Sequence, residues 1–183
     1  MSAEIFQVDV SLLNLDPVIW RQIEVPSNIS LADFHLVLQK AMGWKNKRQH
    51  RFVKETTFYA PTAELLDEEY SCIEYKHVKL SDLLELDKDK IIYNYDFKDN
   101  WAHEIILEAR KPAEEGATYP RILDGEGNCP PEGCGGVEGF VEILEVLDNP
   151  DHMDYEDTIE FLGPDYDPDF FDPEAANERL AEG

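Results

Sequence analysis

A chain of 183 residues with 43% hydrophobic, 11% aromatic and 31% charged side chains is too apolar for a disordered polymer and too polar for a membrane-embedded one. Its 40 acidic residues against 16 basic ones give a formal net charge of −24 and a pI near 4.3, which repels nucleic acid phosphates and anionic membranes at long range. Generic DNA- and membrane-binding functions are thereby excluded, and the length predicts one domain, residues 1–183, with enough core to fold without staples.

Residues 5–13 alternate Phe6, Val8, Val10 and Leu12 with Gln7, Asp9 and Ser11, the pattern of a half-buried strand. Asn14, Asp16 and Pro17 supply turn chemistry, and residues 18–25 resume β-type side chains, so the pair predicts a hairpin. Ser30 is placed to cap a helix, with Asp33 near the positive end of its dipole. Leu31, Phe34, Leu38, Ala41 and Met42 share one face of that helix, His35 sits at the edge of the face, and Gly43 ends the run. A third strand is expected over residues 52–59, then an acid-rich loop around Asp67, Glu68 and Glu69. Residues 73–80 read as another short strand, and Ser81 as the start of a helical turn.

Residues 91–97 and 101–109 are two strand-like runs joined by Lys98, Asp99 and Asn100, which predicts a second hairpin. Residues 124–139 contain six glycines and the pair Pro130 and Pro131, a composition unsuited to a helix interior or a central strand. Phe140, Ile143, Leu144 and Leu147 then repeat at helical spacing, which Asn149 and Pro150 stop. A last helix is expected with Asp172 as its cap and Pro173 in its first turn. Strands and helices mix without βαβ alternation, so the fold class expected is α+β: a single domain whose antiparallel or mixed sheet is built from hairpins and packs against two or three helices.

The charge is unevenly spread. Residues 145–183 hold fourteen acids and one base, Arg179, for a net −13, whereas residues 40–54 hold six bases (Lys40, Lys45, Lys47, Arg48, Arg51 and Lys54) and no acid. Cations interleaved with Trp44, His50 and Phe52 are compatible with single-stranded nucleic acid. The overall charge favours a solvated basic surface, with Lys45, Lys47, Arg48 and Arg51, or a dock for the acidic C-terminal segment.

Two segments carry candidate chemistry. The first, residues 127–136 (GNCPPEGCGG), brings two thiols and Glu132 into a loop stiffened by prolines. Cys129 and Cys134 form only half of a zinc site, which His50, His103 and Cys72 could complete only if the fold brings them near; a divalent metal is therefore open but not favoured against a tight structural loop with reduced cysteines. In the second, residues 93–103 (YNYDFKDNWAH), Asp96, Asp99 and His103 sit among aromatics, where a carboxylate can orient an imidazole; the plainer reading is a turn followed by an ordinary strand histidine. Asp165, Asp167 and Asp169 resemble the opening of a calcium loop, but Phe170 stands where its sharp turn needs Gly. Three cysteines, Cys72 included, are an odd and sparse set that suits a reducing compartment. No signal-like or membrane-spanning run is present, so a cytoplasmic location is expected.

These motifs together resemble the plasmid pRiA4b ORF-3-like family. The resemblance rests on Pro17, Val18, Ile19, Trp20 and Arg21 with Val25 and Pro26, on Gly43 and Trp44, and on Tyr93 to Phe97 with Asp99, Trp101 and His103. It continues through Glu108, Tyr119 and Pro120 to Cys129, Pro130, Pro131 and Glu132 with Gly135 and Gly136. It carries no established activity to transfer; some members accompany insertion elements and bear a resolvase-like label. The chain shows no recombinase nucleophile with its arginine cluster. Lys98, Gly133 and Arg48 replace a Gly, an Asp and a His usual in the family pattern, so a site built on those groups would be absent from this member.

The function expected is a small cytosolic binding or accessory protein, without a catalytic step, whose partner is a protein or small molecule rather than nucleic acid or membrane. Its ligand cleft is expected between the Asp99 to His103 hairpin and the loop of residues 129–136, with Trp20, Trp44, His50, Asp99, Trp101, His103 and Glu132 around it. The alternatives are a metal-dependent enzyme using His, Asp and Cys of the same cleft and a mobile-element-associated nucleic-acid-binding factor.

Overall fold

The computed structural model describes residues 3–62 and 71–182. The loop expected around Asp67, Glu68 and Glu69 lies outside the described residues. The fold is α+β, organised on one mixed sheet of eight strands: β1 (Glu4–Leu12), β2 (Ile19–Pro26), β3 (His50–Lys54), β4 (Thr57–Ala60), β5 (Ser71–Glu74), β6 (Lys90–Tyr95), β7 (Trp101–Pro112) and β8 (Arg121–Glu126). Their order across the sheet is β5-β4-β3-β6-β7-β1-β2-β8, antiparallel except for the β4/β5 pair.

The period-two pattern decides which face is covered. Phe6, Val8, Val10 and Leu12 of β1 are buried while Gln7, Asp9 and Ser11 between them are half-exposed, and β6 and β7 follow the same rule with Ile91, Tyr93, Tyr95, Trp101, His103, Ile105 and Leu107. Register lines these residues up across strands: His103 is opposite Tyr93 and Leu12, Tyr93 is opposite Phe52, and Tyr95 is opposite both Trp101 and His50. An aromatic and histidine-rich band thus crosses the inner face.

Helix α1 (Leu31–Met42) covers that band. Ser30 accepts from the Asp33 N–H at 3.0 Å, and Gly43, left-handed at φ 109°, closes the far end by donating to Gln39 O at 2.9 Å. Leu31, Phe34, Val37, Leu38, Ala41 and Met42 are buried, and so is His35. The other helices are α2 (Leu80–Leu83), α3 (Gly136–Leu147), α4 (Tyr155–Leu162) and α5 (Pro173–Ala181). Among the described residues no helix is long and apolar enough to cross a membrane.

Several elements differ from the sequence reading. The strand expected over residues 52–59 is a hairpin, β3 and β4, because Glu55 turns the chain in the left-handed region at φ 54°. The strand expected over residues 73–80 stops at Glu74, and α2 begins at Leu80 with Lys79 before it. The glycine-rich stretch at 124–139 is irregular only in its middle. Its first residues complete β8, where an edge position tolerates glycine, and its last ones form the first turn of α3. Helix α4, which the sequence reading did not place, carries no buried residue.

The acidic C-terminal segment docks against the body through specific groups. The Asn177 side chain accepts from Ile122 N at 2.7 Å and donates to Ile122 O at 2.9 Å, imitating a strand on the free edge of β8. Arg179 Nε donates to Lys40 O at 3.0 Å, Asn128 N donates to Pro168 O at 2.9 Å, and Tyr166 OH donates to Cys129 O at 3.0 Å. The segment therefore reaches the start of the basic stretch through backbone and aromatic contacts. Among the described residues, the ion pairs formed by cations of residues 40–54 go instead to Asp96, from Arg48 at 3.8 Å, and to Asp89, from Lys54 at 3.6 Å.

Candidate functional site

Three of the five histidines, His35, His50 and His103, are buried in the core at or beneath α1 and hydrogen-bonded within the protein. His103 is fully buried, with Nδ1 3.0 Å from Tyr93 O and Nε2 3.2 Å from Trp44 Nε1. An indole N–H can only donate, so Nε2 accepts and the ring proton faces the Tyr93 carbonyl. Burial pushes the His103 pKa down to about 4, so the neutral ring is held at neutral pH. His50 stacks on His35 at 3.4 Å between centroids and 5° between planes, and its Nε2 is 2.6 Å from Tyr75 OH. Burial first, and then the neighbouring His35, push the His50 pKa down to about 3.

His35 belongs to a closed ring of hydrogen bonds. Gln39 Nε2 donates to Tyr93 OH at 2.8 Å, Tyr93 OH to His35 Nδ1 at 2.6 Å, His35 Nε2 to Asn46 Oδ1 at 2.8 Å, and Asn46 N to Gln39 Oε1 at 2.8 Å. A fully satisfied polar network of this kind fixes the packing of a core. Trp101 is buried beside Trp44 at 5.4 Å between rings.

The loop of residues 129–136 packs directly against the β6/β7 turn. Asp96 Oδ1 accepts from Lys98 N at 3.0 Å and Asp99 N at 3.3 Å, which folds the turn back on itself. Asp99 Oδ2 then accepts from Gly135 N at 3.2 Å. Gly136 has φ +74° and a Cβ there would lie 2.4 Å from Asp99 O; a Cβ on Gly139 would lie 1.9 Å from Cys134 O. Only glycine fits either position. At the other end of the loop, Glu132 Oε1 accepts from Lys45 N and, at 3.0 Å, from Tyr95 OH, while its Oε2 is buried without a partner among the described residues. Burial raises the Cys129 thiol far above its ordinary range and the Cys134 thiol to about 11, so both are protonated at neutral pH and are poor ligands as they stand. Among the described residues no group of three or more His, Cys, Asp and Glu side chains is placed to hold a metal ion.

The open space is on the opposite side of that loop. A cleft of about 580 Å³ lies between residues 42–48, residues 128–132 and the C-terminal segment from Phe161 to Arg179. Arg21 forms part of its floor. It occupies an inward register of β2, opposite Val10, and is 1% exposed. Its Nε donates to Ala41 O at 2.8 Å, Nη1 to Trp20 O at 2.8 Å and Glu126 O at 3.0 Å, and Nη2 to Gly127 O at 2.8 Å. The Phe171 ring lies over the guanidinium at 3.7 Å. Burial lowers the Arg21 pKa to about 10, which still leaves it charged at neutral pH. Together with Arg179 it satisfies the last carbonyls of α1, at the negative end of that helix.

Five cations line the cleft: Arg21, Lys45, Lys47, Arg48 and Arg179. Two carboxylates also line it: Glu132, whose Oε1 is taken by Lys45 N and Tyr95 OH, and Asp172, the cap that accepts from Glu174 N at 3.0 Å. Among the described residues, Arg21, Lys45, Lys47 and Arg179 have no carboxylate within salt-bridge distance, whereas Arg48 is 3.8 Å from Asp96. Phe161 and Phe170 at the cleft are 55% and 60% exposed.

Of the residues singled out in the sequence, the structure brings Cys129, Glu132, Lys45, Lys47 and Arg48 to this cleft. His50, Trp101 and His103 lie in the core beneath, and Trp44 is buried against His103. Asp99 is joined to the loop, Trp20 faces Glu126 across β2 and β8, and Arg51 stacks on Phe58 and Phe97. Arg21, Arg179, Tyr166 and Phe171 were not singled out as site residues. Arg21 alone left a trace in the sequence, as a charged residue in phase with Ile19, Ile23 and Val25 on the apolar side of an alternating strand.

The model of the plasmid pRiA4b ORF-3-like protein family matches residues 4–175. The Sinorhizobium fredii (strain NBRC 101917 / NGR234) protein named uncharacterized protein y4hQ is 36% identical over 170 residues, 91% of this chain and 86% of that one. The crystal structure of MM3350, a protein of unknown function from Methanosarcina mazei Go1, superposes with a TM-score of 0.86 at 35% identity, covering 95% of this chain and 98% of that one. With the resemblance first visible in its motifs matched along nearly its whole length, this chain belongs to the plasmid pRiA4b ORF-3-like family.

Proposed function

We propose that the protein is a small-molecule-binding accessory protein whose ligand cleft lies on the outer face of the 128–132 loop. The β6/β7 hairpin, expected to form one wall of the cleft, instead backs the loop from behind, and the ligand is anionic. One observation carries this reading: Arg21, a cation 1% exposed, lies in the wall of a cleft with no carboxylate partner. Carbonyls, the end of α1 and the Phe171 ring stabilise it in place, and among the described residues no carboxylate neutralises its positive charge. Three more unpaired cations surround the same space in a chain of net charge −24. Such a concentration of positive potential selects an anion, and a volume near 580 Å³ suits a small organic molecule.

The test is a titration with the anionic dye 1-anilinonaphthalene-8-sulfonate. The reading expects saturable binding at one site with a dissociation constant of about 10 μM to 1 mM. It also expects that the double variant Lys45→Glu, Lys47→Glu, which alters exposed side chains only, keeps the melting temperature and loses the binding. Equal dye binding by the double variant, or none by the wild type, contradicts it.

A further inference from the structure

Resting on that reading, we infer that the ligand is a mononucleotide, its phosphate held by the cations and its base laid against the aromatic wall. Charge and shape at the cleft favour a phosphate. Arg179, Lys45 and Lys47 present unpaired positive charges to one space, and Arg21, buried beneath them with its donors on carbonyls, adds a fourth charge to its potential. A monoanionic carboxylate would neutralise a quarter of that, whereas a phosphomonoester carries close to two charges and three strong acceptor oxygens. The Arg179 guanidinium, engaged among the described residues only through Nε, keeps its Nη donors for phosphate oxygens, while Arg21 acts through its charge alone.

The apolar counterpart is the exposure of Phe161 and Phe170 at the mouth, next to Phe171, which already stacks on Arg21. Large aromatic side chains left half-open beside a cation cluster offer a stacking surface for a flat ring. Glu132 adds an acceptor. Its Oε1 is occupied by Lys45 N and Tyr95 OH, but Oε2 is buried at the cleft wall without a partner, and an orphaned carboxylate oxygen costs free energy until a donor reaches it. A base carrying exocyclic or ring N–H groups supplies such a donor once the side chain rotates toward the ligand. Long single strands are disfavoured, because residues 145–183 carry −13 and close one side of the cleft.

The experiment is calorimetric titration of the full chain with AMP, GMP, CMP and UMP, and in parallel with the corresponding nucleosides, ribose 5-phosphate, inorganic phosphate and a 15-mer of thymidylate. The expected result is binding of at least one mononucleotide about tenfold or more tighter than its nucleoside and than ribose 5-phosphate. That binding should weaken about tenfold in Lys45→Glu, Lys47→Glu and again in Phe170→Ala, both folded by circular dichroism. No mononucleotide binding, ribose 5-phosphate binding as tightly as the nucleotides, or the 15-mer binding tighter than all of them overturns the inference. If the anionic dye still binds the wild type and not the double variant, the cleft stands as a ligand site and the nucleotide assignment alone fails.

Discussion

A charged residue on the buried face of a strand is stable only if its surroundings are built for it. Arg21 meets that condition through four carbonyl acceptors and one aromatic ring. Replacing it with Met keeps the length but orphans Ala41 O and Gly127 O, so Arg21→Met is expected to lose about 3 kcal/mol in urea unfolding. Glycine carries the same kind of constraint in the loop. Gly139→Ala and Gly136→Ala drive a Cβ into Cys134 O and Asp99 O, so each should cost more than about 2 kcal/mol. Gly133→Ala, which meets open space at φ +76°, should cost about 1 kcal/mol for its backbone conformation alone. A comparable loss for all three would mean that the loop does not pack on the hairpin as described. The histidines make stability depend on pH. Burial lowers the pKa values of His35, His50 and His103 below the ordinary 6.5 of an unfolded chain. The unfolded state therefore binds more protons than the folded one below pH 6.5, and stability falls as pH drops from there toward the folded values of about 4 for His103 and about 3 for His50. The limit is about 1.4 kcal/mol per pH unit for each buried ring, and denaturant titrations between pH 7 and pH 5 measure it before most carboxylates titrate.

At the scale of elements, α5 works as an edge cover and a helix cap together. Asn177→Ala removes both hydrogen bonds on β8 and is expected to cost about 2 kcal/mol, read as a lowered denaturant midpoint; an unchanged midpoint would place α5 off that edge. Deleting residues after Leu162 also removes Arg179 from the end of α1 and Phe171 from Arg21, and should expose the β8 edge to self-association, measurable by sedimentation. Much of this layer was legible in the sequence, because its signals are local. The alternation of β1, the caps Ser30, Gly43 and Asp172, and the Asp99 turn each depend on residues within a few positions of one another. The split of β3 from β4 was not legible, since Glu55 is an ordinary residue placed in a left-handed turn by the pairing on either side. Neither was the use of α5, because nothing near Asn177 announces that its amide will imitate a strand 55 residues away. The candidate site was legible only in part for the same reason: Glu132 and Lys45 stood out in unusual local sequence, while Arg21 and Arg179 matter through contacts made across the whole chain.

For the molecule as a whole, the charge that opened the description divides into two roles. Most of the −24 is spread over the surface and the C-terminal segment, where like charges repel, and a few cations are gathered at one cleft. Salt should therefore act with opposite signs on two observables. Raising ionic strength from about 0.01 M to 0.15 M shortens the screening length from about 30 Å to 8 Å, so the melting temperature should rise while affinity for an anionic ligand falls. A rise or a fall in both would contradict the separation. The fold also offers an apolar groove of about 350 Å³ between Pro17, Val18, Ile19, Phe140 and Leu144, where an aromatic anion would bind if hydrophobic area alone decided. Amide chemical-shift mapping with 1-anilinonaphthalene-8-sulfonate distinguishes the two directly. The account predicts perturbations confined to residues 43–48, 128–132 and 161–179, and perturbations centred on Val18, Ile19, Phe140 and Leu144 would contradict it.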